Sequence, residues 1–207
     1  MYVYVYGPQN TGTNLTKKII KGYTTGIWKH MLNFDRLKKE VEAKNGDIFL
    51  FMFRPLSSWI NSMKKCPYET NWNGDIDQEV RGGERGEDGH YENIIELYIQ
   101  YYENYIELCN TFANCFIISY YELIENGYGY YCSVAKLCGI EQLTESDYVE
   151  ILSRPAKEHG TSVKNSDEAI AKKNMPVTQK DMNKIAEYKD KLLNIEAIIT
   201  SKNEKIF

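Results

Sequence analysis

The chain of 207 residues lacks any apolar run approaching the roughly 18 residues that a membrane-spanning helix needs. It also lacks a basic leader followed by a short apolar stretch, because an alternating strand pattern begins at Tyr2. A cytoplasmic protein without a membrane span is the expectation. Histidine is scarce, and His30, His90 and His159 lie far apart. The five cysteines (Cys66, Cys109, Cys115, Cys132, Cys138) are odd in number and form no CxxC pair. These spacings argue against a zinc site and a disulfide framework, and leave the cysteines as reduced thiols. Nor is there an excess of positive charge: the net charge of −4 argues against general nucleic-acid binding. Internal repeats and low-complexity tracts are absent.

What is present fits one globular domain over residues 1–207, with 43% hydrophobic and 26% charged residues. Charge is unevenly spread. Residues 151–207 hold 11 Lys/Arg against 8 Asp/Glu, which leaves −7 on the first 150. Such a basic tail either helps to hold an anionic ligand or is the ordinary surface of lysine-rich helices.

Apolar periodicity gives the element order. Tyr2–Tyr6 alternates as a strand, with Val3 and Val5 on one face and tyrosines on the other. A helix runs from Thr13 to about Lys21, and Asn33 is placed to cap a second through Glu42. Residues 47–53, DIFLFMF, form a nearly continuous apolar run suited to a central parallel strand buried on both faces. Pro55 then opens a helix to about Lys64. Residues 73–90 are dense in glycine and charge and read as a mobile loop. A long helix over residues 91–110 carries Tyr98, Tyr101, Tyr102 and Tyr105 at packing positions. A strand over 115–120 and helices over 130–138 and 145–152 follow. Residues 153–177 read as basic and irregular, and 178–200 as a C-terminal helix. Strands alternating with helices predict an α/β fold with a mainly parallel central sheet flanked by helices, in three layers. In such sheets, ligands bind at the carboxyl ends of strands.

Two segments carry the chemistry. Gly7-Pro8-Gln9-Asn10-Thr11-Gly12-Thr13-Asn14 joins the first strand to the first helix, an arrangement that presents backbone N–H groups to an oxyanion. Its glycines have the spacing of the nucleotide-triphosphate P-loop, but Thr13 stands where that loop has lysine. The second segment is Arg54-Pro55-Leu56-Ser57-Ser58-Trp59-Ile60-Asn61-Ser62. It places a cation at a strand end and Ser58 and Ser62 on one helix face, a combination able to grip a phosphate.

Together these segments resemble the sulfotransferases that use 3′-phosphoadenosine-5′-phosphosulfate (PAPS). That family has a strand–loop–helix of the form G-x-x-x-x-G-T, matched here by Gly7 to Thr13, and an Arg with a Ser eight residues later, matched by Arg54 and Ser62. A short bacterial and viral branch is closer still. Its loop, its W-K-H element and its R-P-Y segment have counterparts in Gly7–Asn14, Trp28-Lys29-His30 and Cys66-Pro67-Tyr68. Tyr120-Tyr121-Glu122-Leu123 resembles its Y-E-D-L segment. The likeness is good over residues 1–70, extends to about 125 and is thin after 150.

The resemblance implies a P-loop-like core and metal-free transfer of a sulfuryl group from PAPS to a hydroxyl or amine of a small-molecule or glycan acceptor. It implies a phosphosulfate site at Gly7, Gln9, Asn10, Thr11, Gly12, Thr13 and Asn14, and a 3′-phosphate site at Arg54 and Ser62. His30 becomes the base, its near-neutral pKa suiting proton removal. Tyr68 and Glu69 become acceptor-side candidates, and His159 and Lys164 candidates for a loop over the cofactor. The sequence departs from the family at Gln9, where a Lys or Arg is usual; Lys29 is the candidate to supply that charge. Two alternatives stay open. One is a non-catalytic nucleotide-binding relative, favoured by Gln9. The other is a P-loop small-molecule kinase, disfavoured by Thr13 and by Arg54 standing where an acidic magnesium ligand is expected.

Overall fold

A computed structural model describes residues 1–20, 29–67, 70–82, 89–154, 166–173 and 175–204. Among them, three parallel strands form the sheet: β1 (Val3–Tyr6), β2 (Ile48–Phe53) and β5 (Cys115–Ser119), in the order β1-β2-β5. Tyr6 pairs with Phe51, and Phe53 with Ser119, so all three strands end at one edge. Strand β2 lies between two neighbours and is buried on both faces, as its unbroken apolar run requires.

The alternation of side chains then makes two cores. On one face Tyr4, Tyr6, Phe49, Phe51 and Ile117 meet α2 (Phe34–Ala43), α3 (Leu56–Lys65), α4 (Ile94–Thr111) and α10 (Lys189–Glu204). On the other face Val3, Val5, Leu50, Met52 and Ile118 meet α1 (Thr13–Ile19), α5 (Tyr120–Glu125), α6 (Gly127–Leu137) and α7 (Glu145–Ser153). The result is a mixed α/β structure with helices on both faces of a parallel sheet. The valine and tyrosine faces of β1 therefore belong to different cores. No described helix is long and apolar enough to cross a membrane.

The tyrosines of α4 fall at i, i+3, i+4 and i+7, and so form one stripe against the sheet. Phe51 stacks on Tyr105 with ring centroids 4.4 Å apart, and Tyr98 lies 4.6 Å from Tyr102. A buried tyrosine must also place its hydroxyl. Tyr98 donates to the Arg54 carbonyl (2.9 Å), Tyr101 to that of His30 (2.9 Å) and Tyr102 to that of Met52 (3.1 Å). The stripe thus packs the core and holds the backbone of two segments expected to carry function.

Several expected boundaries change. The segment over residues 153–177 contains a helix, α8 (Ser166–Lys173). The C-terminal helix is two, α9 (Gln179–Glu187) and α10, broken at Tyr188, whose hydroxyl accepts from Asn93 Nδ2 at 2.7 Å and lies 3.3 Å from Glu96. Thr178 and Asp181 close a capping box at the start of α9, which the sequence already signalled. Within the glycine-rich stretch, residues 83–88 lie outside the described residues. Around them, β3 (Val80–Arg81) pairs antiparallel with β4 (His90–Tyr91), and Ile76 and Val80 are buried in the core beside Trp72. Glycine density concealed these apolar anchors.

Asn93 caps α4 by accepting from the N–H groups of Ile95 and Glu96, while its amide holds Tyr188. Removing both roles with Asn93→Ala should cost about 1–2 kcal/mol, the upper range for a lost N-cap. Urea denaturation would measure this; a loss below about 0.5 kcal/mol would show that the cap is dispensable.

Candidate functional site

In the loop between β1 and α1 the carbonyls of Gly7, Pro8, Gln9, Asn10 and Gly12 are engaged. That of Gly7 meets His30 Nδ1 at 2.7 Å, and that of Pro8 accepts from the Thr11 hydroxyl at 2.7 Å. The Gln9 carbonyl accepts from Trp59 Nε1 at 2.6 Å, and the Asn10 carbonyl from Arg54 Nη1 at 2.8 Å. The Gly12 carbonyl accepts from the N–H of Thr16 at 3.0 Å. Among the described residues, the N–H groups of residues 9–14 have no hydrogen-bond partner. Backbone N–H groups in a largely buried segment rarely lack partners. A turn that commits most of its carbonyls and leaves successive N–H groups over has the geometry to receive an anion.

Two left-handed residues make this turn: Asn10 (φ 63°) and Gly12 (φ 90°). Both loop glycines are also sterically required. A Cβ on Gly7 would stand 2.4 Å from the Thr11 hydroxyl, and one on Gly12 would stand 2.3 Å from the Tyr120 ring. The Asn10 amide donates to the Cys66 carbonyl at 2.9 Å and lies 3.5 Å from that of Ser62, which ties the loop to the end of α3.

Arg54 follows β2 and enters this loop. It is 6% exposed. Besides the Asn10 carbonyl, its guanidinium donates to the Ser58 hydroxyl (2.9 Å) and reaches the Tyr121 hydroxyl (3.4 Å). The rings of Tyr120 and Tyr121 lie 5.3 and 5.7 Å from it. No carboxylate among the described residues pairs with it. Nor does Tyr120 supply an anion. Burial pushes the Tyr120 phenol up to about 12 despite the pull of Arg54, and burial raises Tyr98 and Tyr102 further. A buried cation surrounded by neutral groups is costly, and an anionic ligand relieves that cost.

Gln9 adds a second orphan. It is 2% exposed, and its Oε1 is buried without a partner. Lys29 and His30 complete the rim. The Lys29 carbonyl accepts from the N–H of Gly7 at 2.9 Å, and its ammonium donates to Asn14 Oδ1. The contact from His30 Nδ1 to a carbonyl fixes the neutral ring as the Nδ1–H tautomer, which puts the lone pair on Nε2.

The structure therefore brings Gly7 to Asn14, Lys29, His30 and Arg54 together. Ser62 reaches the loop only through its backbone; Ser58, one turn nearer, is the serine on Arg54. Tyr120 and Tyr121, which open α5 directly after β5, are further members. Ser58 was legible as the i+4 neighbour of Arg54. The Y-E-D-L likeness marked the segment of the two tyrosines, but their place beside Arg54 was not legible, because β5 meets β2 only in the fold. Trp28, Tyr68, Glu69, His159 and Lys164 lie outside the described residues. Comparisons with protein-family models, with curated proteins and with solved structures find no match.

Gly12→Ala should destabilise the chain by about 1–2 kcal/mol for the left-handed backbone and about 1–3 kcal/mol for the clash with Tyr120. Adding Tyr120→Ala should not recover the backbone part. A single variant as stable as the parent in urea would mean that the turn is not as described.

Proposed function

We propose that the chain is a PAPS-dependent sulfotransferase with a P-loop-like core. One observation carries the reading: a loop with its carbonyls engaged and its N–H groups over stands against a buried guanidinium that has no carboxylate partner. Such a site selects a ligand rich in anionic oxygen. The residue pattern that resembles the sulfotransferases, and Thr13 in place of the P-loop lysine, favour a phosphosulfate over a nucleoside triphosphate.

PAPS, when bound, supplies an activated sulfuryl group. The chain's own residues bind and orient it: loop N–H groups, with Thr13 and Asn14, hold the phosphosulfate, and Arg54, with Ser62 and Ser58, holds the 3′-phosphate. His30 takes the acceptor proton at Nε2 as the acceptor oxygen or nitrogen bonds to sulfur and the S–O bond to the phosphate breaks. Lys29, joined to the loop through Asn14, balances charge growing on the leaving phosphate. The acceptor is a small molecule or glycan. A second reading, a non-catalytic nucleotide-binding module, is favoured by Gln9, a neutral amide where the family places a cation.

Adenosine 3′,5′-bisphosphate at 100 times its Kd should stabilise the chain by about 2.7 kcal/mol, and Arg54→Gln should abolish the effect. No shift in a thermal melt would sink both readings. Incubation with PAPS and an acceptor panel separates them: the enzyme turns over, and His30→Ala and Lys29→Ala lower kcat while the bisphosphate still binds. A shift without turnover selects the module.

A further inference from the structure

The last turn of α3 is gripped from two sides. From the loop after β1, the Asn10 amide donates to the Cys66 carbonyl (2.9 Å) and lies 3.3 Å from Met63 Sδ and 3.5 Å from the Ser62 carbonyl. From α9, Asp181 accepts from Lys64 Nζ at 2.5 Å. Both grips thus fall on residues 62–66, about one helical turn. Asn10 is also one of the two left-handed residues of the loop, and its carbonyl holds Arg54. The grip from α9 is an ion pair buried at its carboxylate end. Asp181 is 1% exposed, and no other Lys or Arg among the described residues pairs with it. Burial opposes its ionisation, but the hydrogen bonds from Lys64 and Thr178 outweigh this and hold the carboxyl below the usual aspartate range. Further ties seat the same segment: Asn61 Nδ2 donates to the Met175 carbonyl (2.9 Å), and Lys180 pairs with Asp75 and Asp77 at 2.6 and 2.9 Å. Those contacts are exposed, and exposed pairs contribute little. Removing one partner of a buried pair instead leaves a charge unmatched. Lys64–Asp181 is therefore the strongest polar tie between α9 and α3.

We propose that Lys64 and Asp181 are positioning residues for the anion loop: docking of α9 fixes the last turn of α3, and that turn fixes Asn10. No hydrogen bond joins either residue to the loop itself. Their effect passes through the Ser62 and Cys66 carbonyls to the Asn10 amide, and from the Asn10 carbonyl to Arg54. Linkage makes the coupling reciprocal, so an anion that orders the loop also holds α9 in place. The effect on ligand affinity rests on the anion-binding reading of the loop. The link from α9 to Asn10 stands without a ligand.

Two kinds of measurement separate these parts. In proton–nitrogen NMR spectra of the ligand-free chain, the Asn10 side-chain amide resonances should move on Lys64→Met and on Asp181→Asn. They should stay in place on Lys64→Arg, which keeps the charge. Adenosine 3′,5′-bisphosphate should bind Lys64→Met about fivefold or more weakly than the parent, and Lys64→Arg as tightly as the parent. In the unaltered chain the bisphosphate should slow amide exchange at residues 182–187 of α9 by a comparable factor, as reciprocity requires. Asn10 resonances unmoved in both Lys64→Met and Asp181→Asn overturn the link. Equal affinity of the parent and Lys64→Met for the bisphosphate, or unchanged exchange in α9 with the bisphosphate bound, overturns the coupling. Failure of the parent to bind the bisphosphate overturns the proposed function instead, and the Asn10 resonances then decide the link alone. Should Lys64→Met fail to fold, Asp181→Asn, which keeps an acceptor for the Thr178 N–H, takes its place in both measurements.

Discussion

Burying one guanidinium among neutral groups is the constraint on which the site depends. Arg54 leaves the most deeply buried strand, and its charge cannot reach bulk water. The chain answers with dipoles: the Asn10 carbonyl, the Ser58 and Tyr121 hydroxyls and two aromatic faces. These satisfy hydrogen-bond geometry without neutralising charge. The residual positive potential adds to that of the adjoining loop, whose N–H groups at residues 9–14 have no partner among the described residues. Burial and charge are in tension here, since an aspartate beside Arg54 would relieve the cation and none stands there among the described residues.

That tension explains the number of tyrosines. Tyr98, Tyr101 and Tyr102 each bury a ring in the large core and place a hydroxyl on a main-chain carbonyl at Arg54, His30 or Met52. Phenylalanine would pack as well, but those carbonyls would lose their buried donors. Burial raises the pKa of Tyr98 and Tyr102, so these two fix the backbone without adding charge. Helix α4 therefore ties the core to the strand ends through the carbonyls of Arg54, His30 and Met52.

How much of this was legible in the sequence depends on the range of each interaction. The strands, the Asn33 and Thr178 caps and the two-faced β2 came from periodicity and local chemistry. Gly7 and Gly12 were legible as a loop signature, although the reason each tolerates no Cβ lies in Thr11 and in Tyr120, more than a hundred residues away from Gly12. The break at Tyr188 was hidden because its partner, Asn93, is on another helix. The pairing of Arg54 with Ser58 over Ser62 was settled by the tertiary position of Tyr121, which contacts both Ser58 and the guanidinium.

Gln9 is where these strands of reasoning meet. Its main-chain carbonyl is locked by Trp59, so its backbone position serves the core, while its side-chain Oε1 is left buried and unbonded. A lysine there would bury a second unpaired cation, since Gln9 is 2% exposed, and a charge buried without a partner is costly. Moving the cation to Lys29, at the rim and bonded to Asn14, separates the two positive groups while keeping both on the loop. The amide then has a definite use, since either of its ends can meet a ligand atom: the oxygen accepts and the nitrogen donates. A neutral Gln9 is thus consistent with a receptor that distributes its positive potential between two separated cations and a row of N–H groups, and the absence of a loop cation alone does not mark the site as a relic.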